Sequence, residues 1–242
     1  MTLVLLPVAA AGAAGDDKIV KNSVTSEGKK RTYYLFAPAG LSKEKPAPLL
    51  VLLHGSGRNG KILVEHWQKL AAQEGIILAG PDANDPSQWG MPQDGPRFLY
   101  DLVEELKSTQ PVDPARVYLF GHSAGAIFGL YMTALESEYF AAVAASAGAL
   151  RENTYPMLDE AERKVPVALF VGTRDQLFPL PVVRGTRDAY KQRGFPVELT
   201  EIPNHDHFYY RLSAEINAKA WEFLKQHRLA GAARYKEHHF RR

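Results

Sequence analysis

The sequence predicts one doubly wound α/β domain, with about eight mostly parallel strands and helices on both faces of the sheet. Three observations lead there. Short apolar runs alternate with segments of helical periodicity from Leu49 to His227. The run Leu49–Leu53 is apolar throughout, as a strand covered on both faces should be. A chain of 242 residues, 45% of them hydrophobic, is long enough to bury a large core and suits a single α/β domain.

The elements follow in order. Ile19–Thr25 and Arg31–Ala37 flank Ser26-Glu27-Gly28-Lys29-Lys30 and predict an antiparallel hairpin with a glycine-containing loop. After the strand Leu49–Leu53, the residues Ile62, Leu63, Trp67, Leu70 and Ala71 mark one face of a helix, and Ile76–Ala79 is the next strand. Phe98, Leu99, Leu102, Val103 and Leu106 recur at helical spacing. Val117–Phe120, Phe140–Ala145, Val165–Val171 and Val197–Ile202 are further strands, separated by helices over Ala126–Leu135 and Val182–Arg193 and closed by a helix over Leu212–His227. No repeat or low-complexity linker divides the chain, so residues 16–229 are expected to form one domain. Only about twenty residues separate the strands Phe140–Ala145 and Val165–Val171, too few for a large cap domain.

The ends are different in kind. Residues 1–15 combine an apolar run, Leu3–Ala11, with an Ala-x-Ala step at Ala11-Gly12-Ala13, the pattern of a signal peptide's apolar region and cleavage site. The positively charged leader of such peptides is missing, so a secreted or periplasmic location is favoured over a cytoplasmic one without displacing it. The run is too short to span a bilayer, and no membrane partner is expected. Residues 230–242 form a basic tail that reads as a solvated terminus.

Composition narrows the function. There is no cysteine, which excludes a disulfide framework, a thiolate metal site and a cysteine nucleophile. With 29 Lys+Arg against 27 Asp+Glu, the net charge of +2 supplies no field suited to nucleic acid. Neither G-x-G-x-x-G nor a phosphate-binding G-x-x-x-x-G-K-[ST] occurs, and His205 and His207 lack a third ligand at helical spacing, so no cofactor and no metal are expected.

The chemistry gathers on Gly121-His122-Ser123-Ala124-Gly125, a G-x-S-x-G motif between a predicted strand and a predicted helix. A serine on that turn is strained and exposed, and side chains two before and two after it would strike the neighbouring helix and strand, which glycine avoids. A nucleophilic serine needs a base, and the base an orienting carboxylate, in the chain order Ser, Asp, His at later strand ends. Asp175 follows the strand Val165–Val171. The loop after Val197–Ile202 supplies two histidines; His207 is favoured as base, with His205 as the alternative, and Asp206 reads as a loop cap. The oxyanion needs two N–H donors. Ala124 supplies one and Ser56, in His54-Gly55-Ser56-Gly57, the other, with Gly57 as fallback and as part of the substrate pocket. Trp89, on the loop after Ile76–Ala79, is a candidate pocket wall, although turn chemistry explains that loop equally well. His122 is expected to pack in the core.

These motifs (LLHGSGRNG, GHSAG, GTRDQLFP and the histidine loop) resemble the α/β-hydrolase esterases, in particular the branch similar to polyhydroxybutyrate depolymerases and feruloyl esterases. The likeness runs from about Pro48 to His227. It implies a serine carboxylic ester hydrolase acting through a covalent acyl-enzyme, with nucleophile Ser123, acid Asp175, base His207 (or His205) and oxyanion donors Ser56 and Ala124. The implied substrates are small-molecule or polymeric esters of hydroxy acids, phenolic acids or acetylated carbohydrates. Two positions depart from the family: Ser56 stands where many depolymerase-like relatives have Cys, and Phe208-Tyr209 follow His207 where many feruloyl esterase relatives carry Trp two residues on. A serine peptidase or thioesterase would use the same constellation, and an inactive binding protein would retain its shape.

Overall fold

The computed structural model describes residues 18–238, so the candidate signal peptide lies outside the described residues. The strands are β1 (Val20–Ser26), β2 (Lys29–Phe36), β3 (Ala47–Leu53), β4 (Ile77–Pro81), β5 (Val112–His122), β6 (Ala142–Ser146), β7 (Val167–Gly172) and β8 (Val197–Ile202). They form one sheet in the order β1-β2-β4-β3-β5-β6-β7-β8. The β1–β2 and β2–β4 pairings are antiparallel and every other pairing is parallel. Five longer helices accompany them: α1 (Gly60–Glu74), α2 (Pro96–Thr109), α3 (Ala124–Leu135), α4 (Leu180–Gln192) and α5 (Ser213–Leu224). This is the α/β-hydrolase architecture expected above, and the link from β6 to β7 holds only a 3₁₀ turn over Glu152–Glu160, with no large cap.

Strand alternation explains how the helices divide between the faces. Leu50, Leu52, Leu78, Tyr118, Phe120 and Phe170 point to one side, where Leu63 and Trp67 of α1 and Ile216 and Trp221 of α5 cover them. Leu49, Val51, Leu53, Leu119 and Val143 point to the other, against Phe98 and Leu102 of α2 and Phe128 and Met132 of α3. Val167, Leu169 and Val171 meet Val183 and Tyr190 of α4 on that same side. All seven residues of β3 are buried, as its uninterrupted apolar run requires.

Two details differ from expectation. The hairpin turn is shorter than the predicted five-residue loop. Glu27 and Gly28 both take positive φ (47° and 76°), the two-residue turn whose twist matches that of its strands. The tail does not run free into solvent over its described part. Tyr235 stacks on Tyr100 with ring centroids 4.2 Å apart, Arg234 pairs with Glu138, and His238 Nε2 lies 2.9 Å from the buried Glu136 carboxylate. The described part of this basic terminus thus meets an aromatic ring on α2 and the carboxylates that follow the end of α3. No helix among the described residues is long and apolar enough to cross a membrane.

Candidate active site

β5 ends at His122 and α3 begins at Ala124, so Ser123 alone makes the turn between them. Its backbone sits at φ 55°, ψ −119°, a conformation that L-residues rarely adopt. The turn is over-determined. Ser123 N–H donates to Ser146 O of the neighbouring strand end (2.9 Å), and Ser123 O accepts from Ile127 N–H (3.1 Å). A Cβ on Gly121 would lie 2.2 Å from the Gly125 carbonyl oxygen, and one on Gly125 would lie 2.0 Å from that of Leu53. Both glycines are therefore required by backbone closeness, one against α3 and the other against β3.

Ser123 Oγ is 3.0 Å from His207 Nε2, and His207 Nδ1 is 2.9 Å from Asp175 Oδ2. The Asp175 carboxylate is fully buried, and its other oxygen accepts the N–H groups of Leu177 and Phe178, each at 2.9 Å. It cannot swing away without leaving two backbone donors unpaired. The Phe178 ring stacks on His207 (5.7 Å, 23°), limiting the imidazole's rotation. His205 is not brought to Ser123. It is buried, and its carbonyl accepts the Arg174 N–H at 2.8 Å. A Cβ on Gly172 would lie 2.2 Å from that same carbonyl oxygen. His205 thus clamps the histidine loop to the aspartate loop, and His207, two residues further along that anchored loop, is the histidine that reaches the serine. Asp206 accepts Phe208 N–H (2.9 Å) and pairs with Arg211 (2.7 Å), the capping role expected for it.

Opposite the histidine stands the loop after β3. Ser56 is exposed on it, and Ala124 is the first residue of α3. Among the described residues neither the Ser56 nor the Ala124 N–H donates to another backbone carbonyl. Gly57 N–H is engaged by Pro86 O at 2.7 Å, so it is not available as the fallback donor.

A model of the dienelactone hydrolase family matches residues 85–229. The chain belongs to the dienelactone hydrolase family. Among curated relatives, this family member is 26% identical over 180 residues to a bifunctional acetylxylan esterase/xylanase of Neocallimastix patriciarum, covering 73% of this chain and 26% of that protein. It is 28% identical over 142 residues to poly(3-hydroxyalkanoate) depolymerase C of Paucimonas lemoignei, covering 53% and 34%. The chain thus spans about half or less of the length of the curated relatives it matches. Among solved structures, it shares its fold with a CE1 ferulic acid esterase from Anaeromyces mucronatus (TM-score 0.68, 16% identity, 91% of this chain and 93% of that one).

In this dienelactone hydrolase family member further side chains hold the loops around the site. His54 Nε2 accepts the Ala83 N–H (3.1 Å), which leaves Nδ1 to donate to Gly55 O (2.9 Å) and fixes the neutral tautomer. Burial holds its pKa below the ordinary histidine value. Trp89, the predicted pocket wall, is only half-buried: Nε1 donates to His54 O (2.8 Å) and the ring stacks on Phe128 (5.1 Å, 22°). Its nearest visible task is to brace the loop that bears Ser56. The segment 82–95 that carries Trp89 is itself pinned from within. Buried Asp94 accepts from Arg31 Nη2 (2.5 Å), Asn84 N–H (2.8 Å) and Gly90 N–H (2.8 Å), while Asp82 Oδ1 accepts Gly60 N–H (2.8 Å). Arg31 comes from β2, sixty-three residues away in sequence from Asp94, so no local signal announces the pair. His122 packs as expected, between the rings of His207 (5.2 Å) and Tyr209 (5.1 Å). Burial, then repulsion from His207, push its pKa down to about 3, so it stays neutral beside that ring.

Proposed function

We propose that this family member is a serine carboxylic ester hydrolase in which Ser123 is the nucleophile, His207 the base and Asp175 its orienting acid. The observation that carries the reading is the unbroken pair of hydrogen bonds from Ser123 Oγ through His207 to Asp175, at 3.0 and 2.9 Å. His207 Nε2 takes the hydroxyl proton as Oγ attacks the ester carbonyl, and returns it to the departing alkoxide when the tetrahedral intermediate collapses. Asp175 holds the proton on Nδ1, so the lone pair of Nε2 faces the serine. Ser56 and Ala124 N–H groups take up the negative charge on the former carbonyl oxygen, helped by the positive end of α3. Water then attacks the acyl-enzyme with the same base, releasing the carboxylic acid and restoring Ser123. No step calls for a cofactor.

Substrates are esters of hydroxy acids, phenolic acids or acetylated carbohydrates. The support is the exposed Ser56 loop, the short β6–β7 link and the activities named for the relatives. The test compares wild type with Ser123→Ala, His207→Ala and His205→Ala on an activated short-chain ester. Ser123→Ala and His207→Ala should retain only the roughly 10³–10⁴-fold acceleration over water that binding and oxyanion donors supply. Undiminished turnover in Ser123→Ala, or a collapse confined to His205→Ala, would overturn the assignment. Faster cleavage of the matched amide than of the ester would favour a peptidase.

A further inference from the structure

The loop 82–95 has two sides. One braces the site: Ala83 N–H and Trp89 Nε1 both bond to His54. The other lines a cleft of about 560 Å³ between this loop and the β1–β2 turn, with Ser26, Glu27, Lys29, Asn84 and Gln93 along its walls. The floor is rigid. Arg31 Nη1 donates to Gln93 O (2.6 Å) and Nη2 to Asp82 O (3.1 Å) and Asp94, while its guanidinium carbon sits 3.7 Å from the centre of the Phe98 ring. Asn84 and Gln93 are thus held firmly by their backbones, yet their amide groups bond to nothing among the described residues. The Glu27 carboxylate and Lys29 ammonium in the same cleft have no ion-pair partner there either.

We infer that this cleft is a second binding site, for the hydroxyl-bearing chain of a carbohydrate ester whose acyl group is cleaved at Ser123. The inference rests on the esterase reading above and adds to it a site and a choice of substrate class. The choice follows from donor and acceptor chemistry. Two amide oxygens and a carboxylate need donors, and two amide nitrogens and an ammonium need acceptors. A sugar hydroxyl is both. A polyester segment offers carbonyl acceptors and methyl groups but no donor, so it could pair only with the amide N–H groups and the ammonium and would gain nothing from the Glu27, Asn84 and Gln93 oxygens, which stay with solvent at these exposed positions. The rigid backbone beneath the two amides reduces the ordering cost of binding, which favours recognition of a neutral, weakly binding chain.

The experiment uses the full chain carrying Ser123→Ala, so that binding is read without turnover, and titrates it calorimetrically with an unsubstituted xylo-oligosaccharide. A hydroxybutyrate oligomer of similar length is the comparison. The saccharide should bind and the polyester oligomer should not. Adding Asn84→Ala and Gln93→Ala together, both at exposed positions, should weaken saccharide binding by about tenfold, the loss of roughly two net hydrogen bonds. Arg228→Gln, beside the Leu229 N–H that donates to Ala115 O near the start of β5, should leave it unchanged. Absence of saccharide binding, equal binding of the polyester oligomer, or an undiminished affinity in the Asn84/Gln93 double variant would overturn the proposal. Those outcomes stand apart from failure of the esterase reading, which shows as turnover persisting in Ser123→Ala.

Discussion

Replacing Arg31 by methionine tests whether the interior ion pair, rather than local turn chemistry, holds the loop that braces the site. The Arg31 and Asp94 side chains are 9% and 2% exposed, so solvent cannot take over either charge. Methionine keeps most of the side-chain volume against Phe98 but removes the cation, leaving the Asp94 carboxylate buried with only the Asn84 and Gly90 N–H donors. Breaking a buried pair in this one-sided way costs about 3–5 kcal/mol. Two surviving backbone donors place the expected loss at the lower end, about 3 kcal/mol. With a urea slope of about 3 kcal/mol per molar for a chain of this size, the unfolding midpoint should fall by about 1 M at unchanged slope. KM for a soluble ester should rise with it, because Trp89 and Ala83 lose their fixed loop. Adding Asp94→Asn to Arg31→Met should restore part of the stability, since no unpaired charge then remains inside. A midpoint shift below about 0.3 M, or a double variant as unstable as the sum of the single ones, would refute the reasoning.

Two further outcomes follow from the same geometry. Gly172→Ala forces a Cβ to within 2.2 Å of the His205 carbonyl oxygen, separating the aspartate and histidine loops; kcat should drop about 100-fold, as for roughly 1 Å of misplacement, while circular dichroism shows an intact fold. Stability should fall on both sides of weakly acidic pH, for opposite reasons. Burial depresses the pKa of His122 from 6.5 to about 3, so its contribution is present above pH 6.5 and is lost as pH falls through 3. Burial raises the pKa of Glu136 from 4.5 to about 8, so its contribution is present below pH 4.5 and is lost as pH rises through 8. Each limb has a slope of about 1.4 kcal/mol per pH unit. Urea unfolding across this range should show a shallower alkaline limb in Glu136→Gln and a shallower acid limb in His122→Phe; unchanged limbs would contradict both assignments.

The order of elements was legible because its signals are local. Apolar runs of strand length, helical periodicity and the G-x-S-x-G turn each concern neighbours within a dozen residues, and all eight strands lie where those patterns put them. The strand-end positions of Ser123 and Asp175 were legible for the same reason. The choice between His205 and His207 was not, because two histidines on one loop give the same local signal, and which one reaches Ser123 depends on how that loop packs on Gly172 and Arg174. The contacts of the tail's described part, which is otherwise largely exposed, were not legible because its partners, Tyr100, Glu136 and Glu138, are about a hundred residues away or more.

By itself, then, the sequence determined the α/β order, the strained serine turn with its two obligatory glycines, and the exclusion of thiol chemistry through the lack of cysteine. The tertiary structure alone decided which histidine meets Ser123, that Gly57 N–H belongs to Pro86, and that Arg31 from the edge hairpin holds the loop under the site through Asp94. The division has one physical cause. Backbone sterics and hydrophobic periodicity act over a few residues and are written in the order of the chain, whereas the pairing of buried polar groups depends on which distant segments packing brings within hydrogen-bond reach.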